Sequence, residues 1–365
     1  MDPLSQAALG AIVAQSVTSA TIGDRRIGYR AAVYGAMVGA MPDIDVLFSI
    51  NGDFVDQLLT HRGLTHSLFF APVVGPVLGW LVWRRERRKD PNVGTRELRY
   101  WIIALTLAIL SHPLLDLLTT YGTQLLMPFS DARFAINAMP IIDPIYTALL
   151  IGGLLLARLW PDKALMHTIA LGTLLVSSSY LGYGWWLNRQ AEDYAIAQLR
   201  AAGIENARVS AFPTILQVHY RRVVARLPGR DMVGFISMWQ PCDIDWQTAP
   251  TADPTLLADY LQSREGKVFD WFTMGWAHYD LKPDLKPDGK TPGSGWRLLA
   301  TDLRYGFDND PLKSVFSVNA QLAPNGLLAG PVYPGRIGAS AERASLTELL
   351  DATYSPACQP VQKVL

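Results

Sequence analysis

Net charge is absent from this sequence, because 32 Lys and Arg residues are balanced by 32 Asp and Glu residues. Binding to nucleic acid through its phosphates needs a basic surface, so this balance argues against a nucleic-acid partner. Cysteine is also scarce. The two that are present, Cys242 and Cys358, both lie in the second half of the chain. They are expected to pair if that half lies outside the cytoplasm and to be free thiols if it lies inside.

A basic n-region is missing from the N-terminus, MDPLSQAALG, so we expect no cleavable signal peptide and insertion through internal apolar helices. Charged residues make up only 18 % of the chain, and the mean hydropathy is +0.14. The long apolar runs lie in the first half, whereas the second half mixes charges, prolines and aromatics. We predict a multi-pass α-helical membrane domain over residues 1–187, followed by a small soluble α+β domain over residues 188–365.

Five apolar runs approach the roughly 20 residues that a membrane-spanning helix needs. A shorter segment, residues 4–20, is rich in small residues and is expected to form a re-entrant or packed helix. The five runs cover residues 27–48, 67–83, 100–118, 142–160 and 165–187.

The loop at residues 84–99 predicts the orientation of the chain in the membrane. It holds seven basic and three acidic residues, and short loops dense in Lys and Arg stay on the cytoplasmic side. The start of the first run, beside Asp24, Arg25, Arg26 and Arg30, is also net basic and favours the same side. With these segments inside, the motifs PDID, HRGLTHS and SHPLLD all reach the outer face, and so does the C-terminal domain.

These three motifs contain the ionisable residues that a bilayer makes costly, which marks them as candidate functional positions. In HPLLD, His112 and Asp116 are four residues apart and share one helical face, although such a pair can also simply hydrogen-bond in a helical core. In PDID, the alternating aspartates suit an extended segment after Pro42 ends a helix. Together the motifs supply mixed nitrogen and oxygen ligands suited to zinc or another divalent metal, with enough for one ion or two. The candidate ligands are Asp43, Asp45, His61, His66, His112 and Asp116.

The motif HRGLTHS is expected to form a rigid corner that holds two imidazoles. Gly63 permits a tight turn, and Thr65 is a candidate N-cap for a helix that starts at His66. That helix N-terminus, with Arg62 near it, would favour an anion. The alternative is an interfacial loop with two solvated histidines.

Other residues support weaker predictions. Asp143 is a candidate carboxylate behind a metal ligand or, equally, a helix N-cap. Tyr121, Arg133 and Asn137 are candidates for contact with substrate, although interfacial aromatic and basic residues commonly anchor a protein in the membrane.

Five motifs, in the order PDID, HRGLTHS, SHPLLD, TTYGTQLLMPFS and IIDP, resemble the bacterial inner-membrane-associated, metal-dependent hydrolase family (the YdjM-like group). The similarity covers residues 4–160. The resemblance implies a multi-pass protein of the bacterial inner (cytoplasmic) membrane, with the six candidate ligands as metal or catalytic positions.

These observations predict a membrane-embedded hydrolase in which a metal-activated water attacks an ester-type bond, in a phosphoester or a lipid, at the outer face. Asp43 or Asp45 would act as general base, and Arg62 would stabilise the developing negative charge. Membrane lipids are the expected surroundings, and an envelope or lipid molecule is the expected substrate. The alternative is a non-catalytic membrane scaffold or sensor with a structural metal site, which four protein ligands would close.

Overall fold

A computed structural model describes residues 1–19, 25–91, 93–160, 162–285, 292–335, 346–355 and Cys358, so Asp24 lies outside the described residues. The chain divides into two compact units. The N-terminal unit comprises Met1–Trp185 and Ile215–Gln217, and the C-terminal unit comprises Trp186–Thr214 and Val218–Leu365. The first is helical and the second contains two small antiparallel sheets, which confirms the predicted fold class.

The N-terminal unit is built from α-helices joined by short connections and two 3-10 helices. Most of α7 belongs to this unit, and its C-terminal part continues into the other. The helices are α1 (Pro3–Ser19), α2 (Arg25–Gly39), α3 (Phe54–Thr60), α4 (Phe70–Lys89), α5 (Thr95–Leu117), α6 (Pro144–Leu159) and α7 (Lys163–Ala201), and the 3-10 helices are Met41–Ser49 and Leu64–His66.

Three helical segments are long and apolar enough to cross a membrane, namely Gly28–Ser49, Thr95–Leu117 and Ala164–Ala201. A further pair, Phe54–His66 with Phe70–Lys89, meets the same criteria only when taken together, and it is bent by 59°. Each of the five predicted runs thus contains a helix. Within the described residues, however, three spans, or four with the bent pair, reach the required length, and α6 is a shorter apolar helix.

Small residues let α1 and α2 pack closely against each other. A Cβ atom at Gly39 would lie 2.9 Å from the Gln6 carbonyl oxygen and 2.9 Å from the Gly10 Cα atom. Both helices also pack on α5, through a core that includes Trp101 and Leu105. The N-terminal end of α1 and the C-terminal end of α2 therefore lie beside each other.

The segment after α2 differs from the prediction for PDID. An extended segment was expected after Pro42, but Met41–Ser49 forms a 3-10 helix with Pro42 in its first turn. Proline lacks an N–H group, which the first turn of a helix does not need, so it starts this helix instead of ending the structure. In the 3-10 helix Asp45 is buried, whereas Asp43 is partly exposed.

The C-terminal unit contains two four-stranded antiparallel sheets with sequential strand order. The tight turn predicted at Pro228 and Gly229 joins two strands, and Asp253 caps the helical segment after it, as the sequence indicated. The strands are β1 (Arg208–Pro213), β2 (Tyr220–Leu227), β3 (Arg230–Ser237), β4 (Gln247–Pro250), β5 (Ala277–Leu285), β6 (Pro292–Asp302), β7 (Ser317–Leu322) and β8 (Tyr333–Pro334). The helices are the 3-10 helix Pro254–Leu257, α8 (Ala258–Gln262), α9 (Arg264–Thr273) and α10 (Leu346–Tyr354).

One strand prediction in this unit was wrong. The aromatic run at residues 268–279 favours a strand, but its first part belongs to α9, and only the end enters β5. The Ser263 side chain accepts a hydrogen bond from the Gly266 N–H and caps α9. Phe269 and Phe272 are three residues apart and both are buried, so the aromatics follow a helical period.

Cys242 and Cys358 form a disulfide bond with a Cα to Cα distance of 5.4 Å. The sequence left this pairing open. The bond links the segment after β3 to the segment after α10 and closes a long stretch of the C-terminal unit.

Candidate metal centre

The candidate ligands come from three segments of the N-terminal unit, and each segment lies at the end or the break of an apolar helix. The aspartates of PDID lie on the 3-10 helix Met41–Ser49, and His112 and Asp116 lie in the last two turns of α5. His61 and His66 flank the corner between α3 and α4. The structure therefore brings together the three motifs that the sequence placed on one side of the membrane.

Four ligand atoms from these motifs lie within 4.8 Å of one another. His66 Nε2 is 3.0 Å from His112 Nε2, 3.4 Å from Asp43 Oδ1 and 3.3 Å from Asp116 Oδ2. His112 Nε2 is 3.3 Å from Asp43 Oδ1 and 3.6 Å from Asp116 Oδ2. Ligands of a tetrahedral zinc ion are about 3.3 to 3.5 Å apart, given bond lengths near 2.0 to 2.2 Å. The spacing of these four atoms matches the edges of such a tetrahedron.

The two histidines direct their Nε2 lone pairs into the centre of this group. His112 Nδ1 lies 2.6 Å from the Gly39 carbonyl oxygen, which can only accept, and His66 Nδ1 lies 3.1 Å from Asp45 Oδ2. In a neutral imidazole whose Nδ1 donates, Nε2 is an acceptor. Metal-binding histidines characteristically donate their other ring N–H to a carboxylate or carbonyl group in this way.

Burial of the same atoms supports a cation at the centre. The side chains of His66 and His112 are 0 % exposed and that of Asp116 is 1 % exposed. Asp116 Oδ2 is buried and accepts no hydrogen bond within the described residues. Buried acceptors facing one another need a shared positive partner, and the residues present fit a divalent metal ion.

Asp43 differs from the other three candidate ligands, because its side chain is 23 % exposed. It also belongs to a second group of candidate ligands, Asp43, Asp45 and His61, whose ligand atoms lie within 4.8 Å of one another. Three ligands of the first group are thus fully enclosed, and the fourth lies on the open side, where it is shared with the second group.

Asp45 is engaged by the protein on both carboxylate oxygens. Its Oδ1 lies 3.0 Å from His61 Nδ1, and its Oδ2 accepts a hydrogen bond of 2.8 Å from the Arg62 N–H and contacts His66 Nδ1. Thr65 Oγ1 donates to the same oxygen at 3.4 Å. The structure therefore places Asp45 behind His66, where it fixes the orientation of that ring.

The corner between the two histidines has a different geometry from the one expected. The left-handed residue is Arg62, with φ 59°, and Gly63 has φ −91°. The prediction that Thr65 caps a helix starting at His66 was wrong, because Leu64–His66 is a 3-10 turn and α4 begins at Phe70. The Thr65 hydroxyl instead contacts the site residues, since it lies 3.1 Å from His66 Nδ1.

The Arg62 side chain is buried beside Asp116. Its Nε lies 3.1 Å from Asp116 Oδ2, and its guanidinium donates to Thr119 Oγ1 at 2.7 Å. In this position the guanidinium compensates the charge of Asp116. Its predicted action on a substrate stays a prediction.

Gln6 is a site residue that the sequence analysis missed. It lies on α1, and its Nε2 donates to Asp116 Oδ1 at 3.0 Å, where the Met1 α-amino group also forms an ion pair. These contacts occupy one oxygen of Asp116 and leave Oδ2 facing the two histidines. A buried amide in an apolar helix of small residues was the available signal.

The remaining predicted residues lie around this centre or apart from it. Asp143 caps α6 by accepting from the Tyr146 N–H, and its other oxygen accepts from the Tyr180 hydroxyl at 3.0 Å. The Tyr121 ring lies 5.2 Å from that of His61. The Arg133 guanidinium stacks over the other side of the rim, 5.0 Å from the Tyr121 ring centroid.

The fold and this cluster define a helical membrane protein with a buried Asp/His group that could hold a metal ion. Residues 1–188 match the model of the YdjM inner membrane protein family, and the chain belongs to this family. The predicted resemblance is thus confirmed, and together with the apolar helices it supports an inner-membrane location.

Two relatives align with part of the chain. It is 39 % identical over 115 residues to the inner membrane protein YbcI of Escherichia coli K12, an alignment that covers 31 % of this chain and 62 % of YbcI. It is 30 % identical over 106 residues to the uncharacterized protein YfhP of Bacillus subtilis 168, covering 28 % of this chain and 29 % of YfhP. The chain therefore spans less than two thirds of either relative. No solved structure matches it.

Proposed function

We propose that the protein is a membrane-embedded, metal-dependent hydrolase that cleaves an ester-type bond. The observation that carries this proposal is the group of four ligand atoms with tetrahedral spacing, of which three are enclosed and one lies on the open side. His66, His112 and Asp116 would hold the ion, as two histidines and a carboxylate do in catalytic zinc sites. A bound zinc ion would lower the pKa of a water molecule and polarise the bond under attack.

The protein side chains around this site have separate roles in the proposal. Asp43 is the better candidate for general base, because its side chain is partly exposed and both oxygens of Asp45 are engaged. Asp45 orients His66 and His61. His61, with Nδ1 on Asp45 and a side chain 29 % exposed, presents its Nε2 on the open side, where it can transfer a proton to the leaving group or bind a second ion.

The orientation of the protein is also part of the proposal. The site and the C-terminal unit would face the extracytoplasmic side, as the basic loop at residues 84–99 indicates. The disulfide between Cys242 and Cys358 supports this orientation, because disulfides persist outside the reducing cytoplasm.

A structural metal site in a scaffold or sensor remains the second candidate function. It is favoured by the same four atoms, because Asp43 completes a closed set of protein ligands if it stays bound. The two functions differ in whether Asp43 is needed to hold the metal or to carry out the reaction.

The test is metal-dependent hydrolysis by the full-length protein in detergent, with panels of phosphoesters and carboxylic esters. An Asp43→Asn variant is expected to keep its metal and to lose activity by about 100-fold or more. Asp131→Asn, in an exposed loop, is the matched control and should leave the rate unchanged. Loss of the metal in Asp43→Asn, with no hydrolysis by the wild type, would contradict the hydrolase and favour the structural site.

A further inference from the structure

The candidate site lies within the apolar spans themselves. Asp43 and Asp45 fall inside the candidate span Gly28–Ser49, and His112 and Asp116 fall inside Thr95–Leu117. His66 lies at the break of the bent pair. Because these segments are the parts of the chain that enter the bilayer, a substrate has to reach the metal at the depth of the lipid.

The 3-10 helix that carries the two aspartates presents apolar side chains outward. Ile44, Val46, Leu47 and Phe48 are 48 %, 51 %, 54 % and 69 % exposed, and they alternate with or follow the ligands along this helix. A membrane protein that exposes such residues within a span places them against acyl chains.

The same pattern recurs on the other segments that border the site. Leu64, between the two histidines of the corner, is 53 % exposed. Phe69 and Phe129 are 44 % and 79 % exposed, and their rings contact each other edge to face with centroids 5.1 Å apart. The polar part of the site thus has an apolar rim on the 3-10 helix, on the corner and on the loop after α5.

We propose that the substrate is a membrane-resident amphiphile, an anionic phosphate headgroup carried on an acyl chain, which enters sideways from the bilayer. The headgroup would reach the open side of the site at Asp43 and His61, while the chain lies along Leu47 and Phe48. This inference depends on the proposed metal-dependent hydrolase. Its own content is that the acyl chain is part of what the protein recognises.

The test uses two probes with the same headgroup, dodecylphosphonate and methylphosphonate, on zinc-loaded full-length protein in lipid nanodiscs. The measurement is the concentration of each probe that halves the rate at which a chelator removes the zinc. We expect dodecylphosphonate to act at a concentration at least about tenfold lower than methylphosphonate, because its chain is buried on binding.

A matched pair of leucine variants separates recognition from simple partitioning into the bilayer. Leu47→Ser removes an exposed leucine at the rim, and Leu155→Ser removes one of similar exposure, 59 %, on α6. Leu47→Ser should reduce the preference for dodecylphosphonate several-fold and leave the effect of methylphosphonate unchanged, and Leu155→Ser should change neither.

Three outcomes overturn the inference and are distinguishable. Equal potency of the two probes, or a chain preference that both variants keep, would mean that the chain is not recognised, while the hydrolase proposal would stand. Failure of both phosphonates to slow the removal of bound zinc would mean that the metal has no open position, and the hydrolase proposal would fall together with the amphiphile.

Discussion

His66 Nε2 and His112 Nε2 lie 3.0 Å apart, although 46 residues separate them in the chain. The Nδ1 atom of each ring has an acceptor of its own, the Asp45 carboxylate for one and the Gly39 carbonyl for the other. Two acceptor nitrogens held this close by the surrounding helices are a stable arrangement only with a cation between them. This pair is the structural basis of the proposed metal centre.

Asp45 is expected to affect the metal without binding it. Changing Asp45 to Asn removes the negative charge that fixes His66, so zinc affinity should fall by about 10- to 100-fold while some metal still binds. Competition with a chelator of known affinity measures the change. Asp131→Asn serves again as the control, and an affinity in Asp45→Asn equal to that of the control would show that Asp45 does not orient the ligand.

Gly39 is expected to be intolerant of a side chain. A Cβ atom there would lie 2.9 Å from atoms of Gln6 and Gly10, so Gly39→Ala must push α1 away from α2. We expect a loss of stability of about 1 to 3 kcal/mol, measured as a lower melting temperature in detergent. Gly152→Ala, on α6 with nothing within 4 Å of its Cβ position, should be neutral or stabilising, and equal melting temperatures for both variants would contradict this packing.

Asp231 should make the C-terminal unit sensitive to acid. Burial raises the pKa of its carboxyl group, but hydrogen bonds with His278 and Arg226 outweigh burial, and the pKa lies below its ordinary value. The charged form therefore stabilises the fold above the ordinary carboxyl pKa of about 4, and this contribution is lost as the pH falls toward the lowered pKa.

Hydrogen exchange of β2 and β3 in the full-length protein measures this effect. Protection should decrease between pH 5 and pH 3, flagged here as about two pH units around the ordinary carboxyl pKa. An Asp231→Asn variant should be less protected at neutral pH and should change less on acidification. A wild type and a variant with the same pH dependence would show that Asp231 is not the responsible group.

The proposed orientation predicts how thiols are labelled in intact spheroplasts. After mild reduction, a membrane-impermeant thiol reagent should label Cys242 and Cys358, and without reduction it should label neither. In an Arg88→Cys variant, the new thiol in the basic loop should react only after the membrane is permeabilised. Labelling of the loop position in intact spheroplasts would reverse the orientation.

Much of this fold follows from periodicity and punctuation in the sequence. The apolar runs became helices, Gly203 ends α7 with φ +77°, and Asp253 caps its helix. The aromatic run at residues 268–279 misled the prediction, because large aromatic side chains favour strands while the Ser263 cap and the spacing of Phe269 and Phe272 favour a helix.

The candidate site was predictable in its members and less so in their roles. Topology alone brought the three motifs to one face, but it could not distinguish Asp43, on the open side, from Asp45, behind His66. That difference arises from the 3-10 helix after Pro42, whose three-residue turn no pattern of alternating residues indicates. Gln6 was missed because its contact with Asp116 depends on the close approach of α1 to α5, which spacing along the chain does not contain.

The metal content of the protein purified in detergent tests the central claim most directly. Elemental mass spectrometry should find about one zinc ion or more per chain in the wild type. His66→Ala and His112→Ala variants should lose it while remaining folded. His167→Ala, on α7 with Nδ1 at 2.9 Å from the Ser16 carbonyl oxygen, should keep it. Absence of metal from the wild type, or equal metal in all four proteins, would contradict the metal centre.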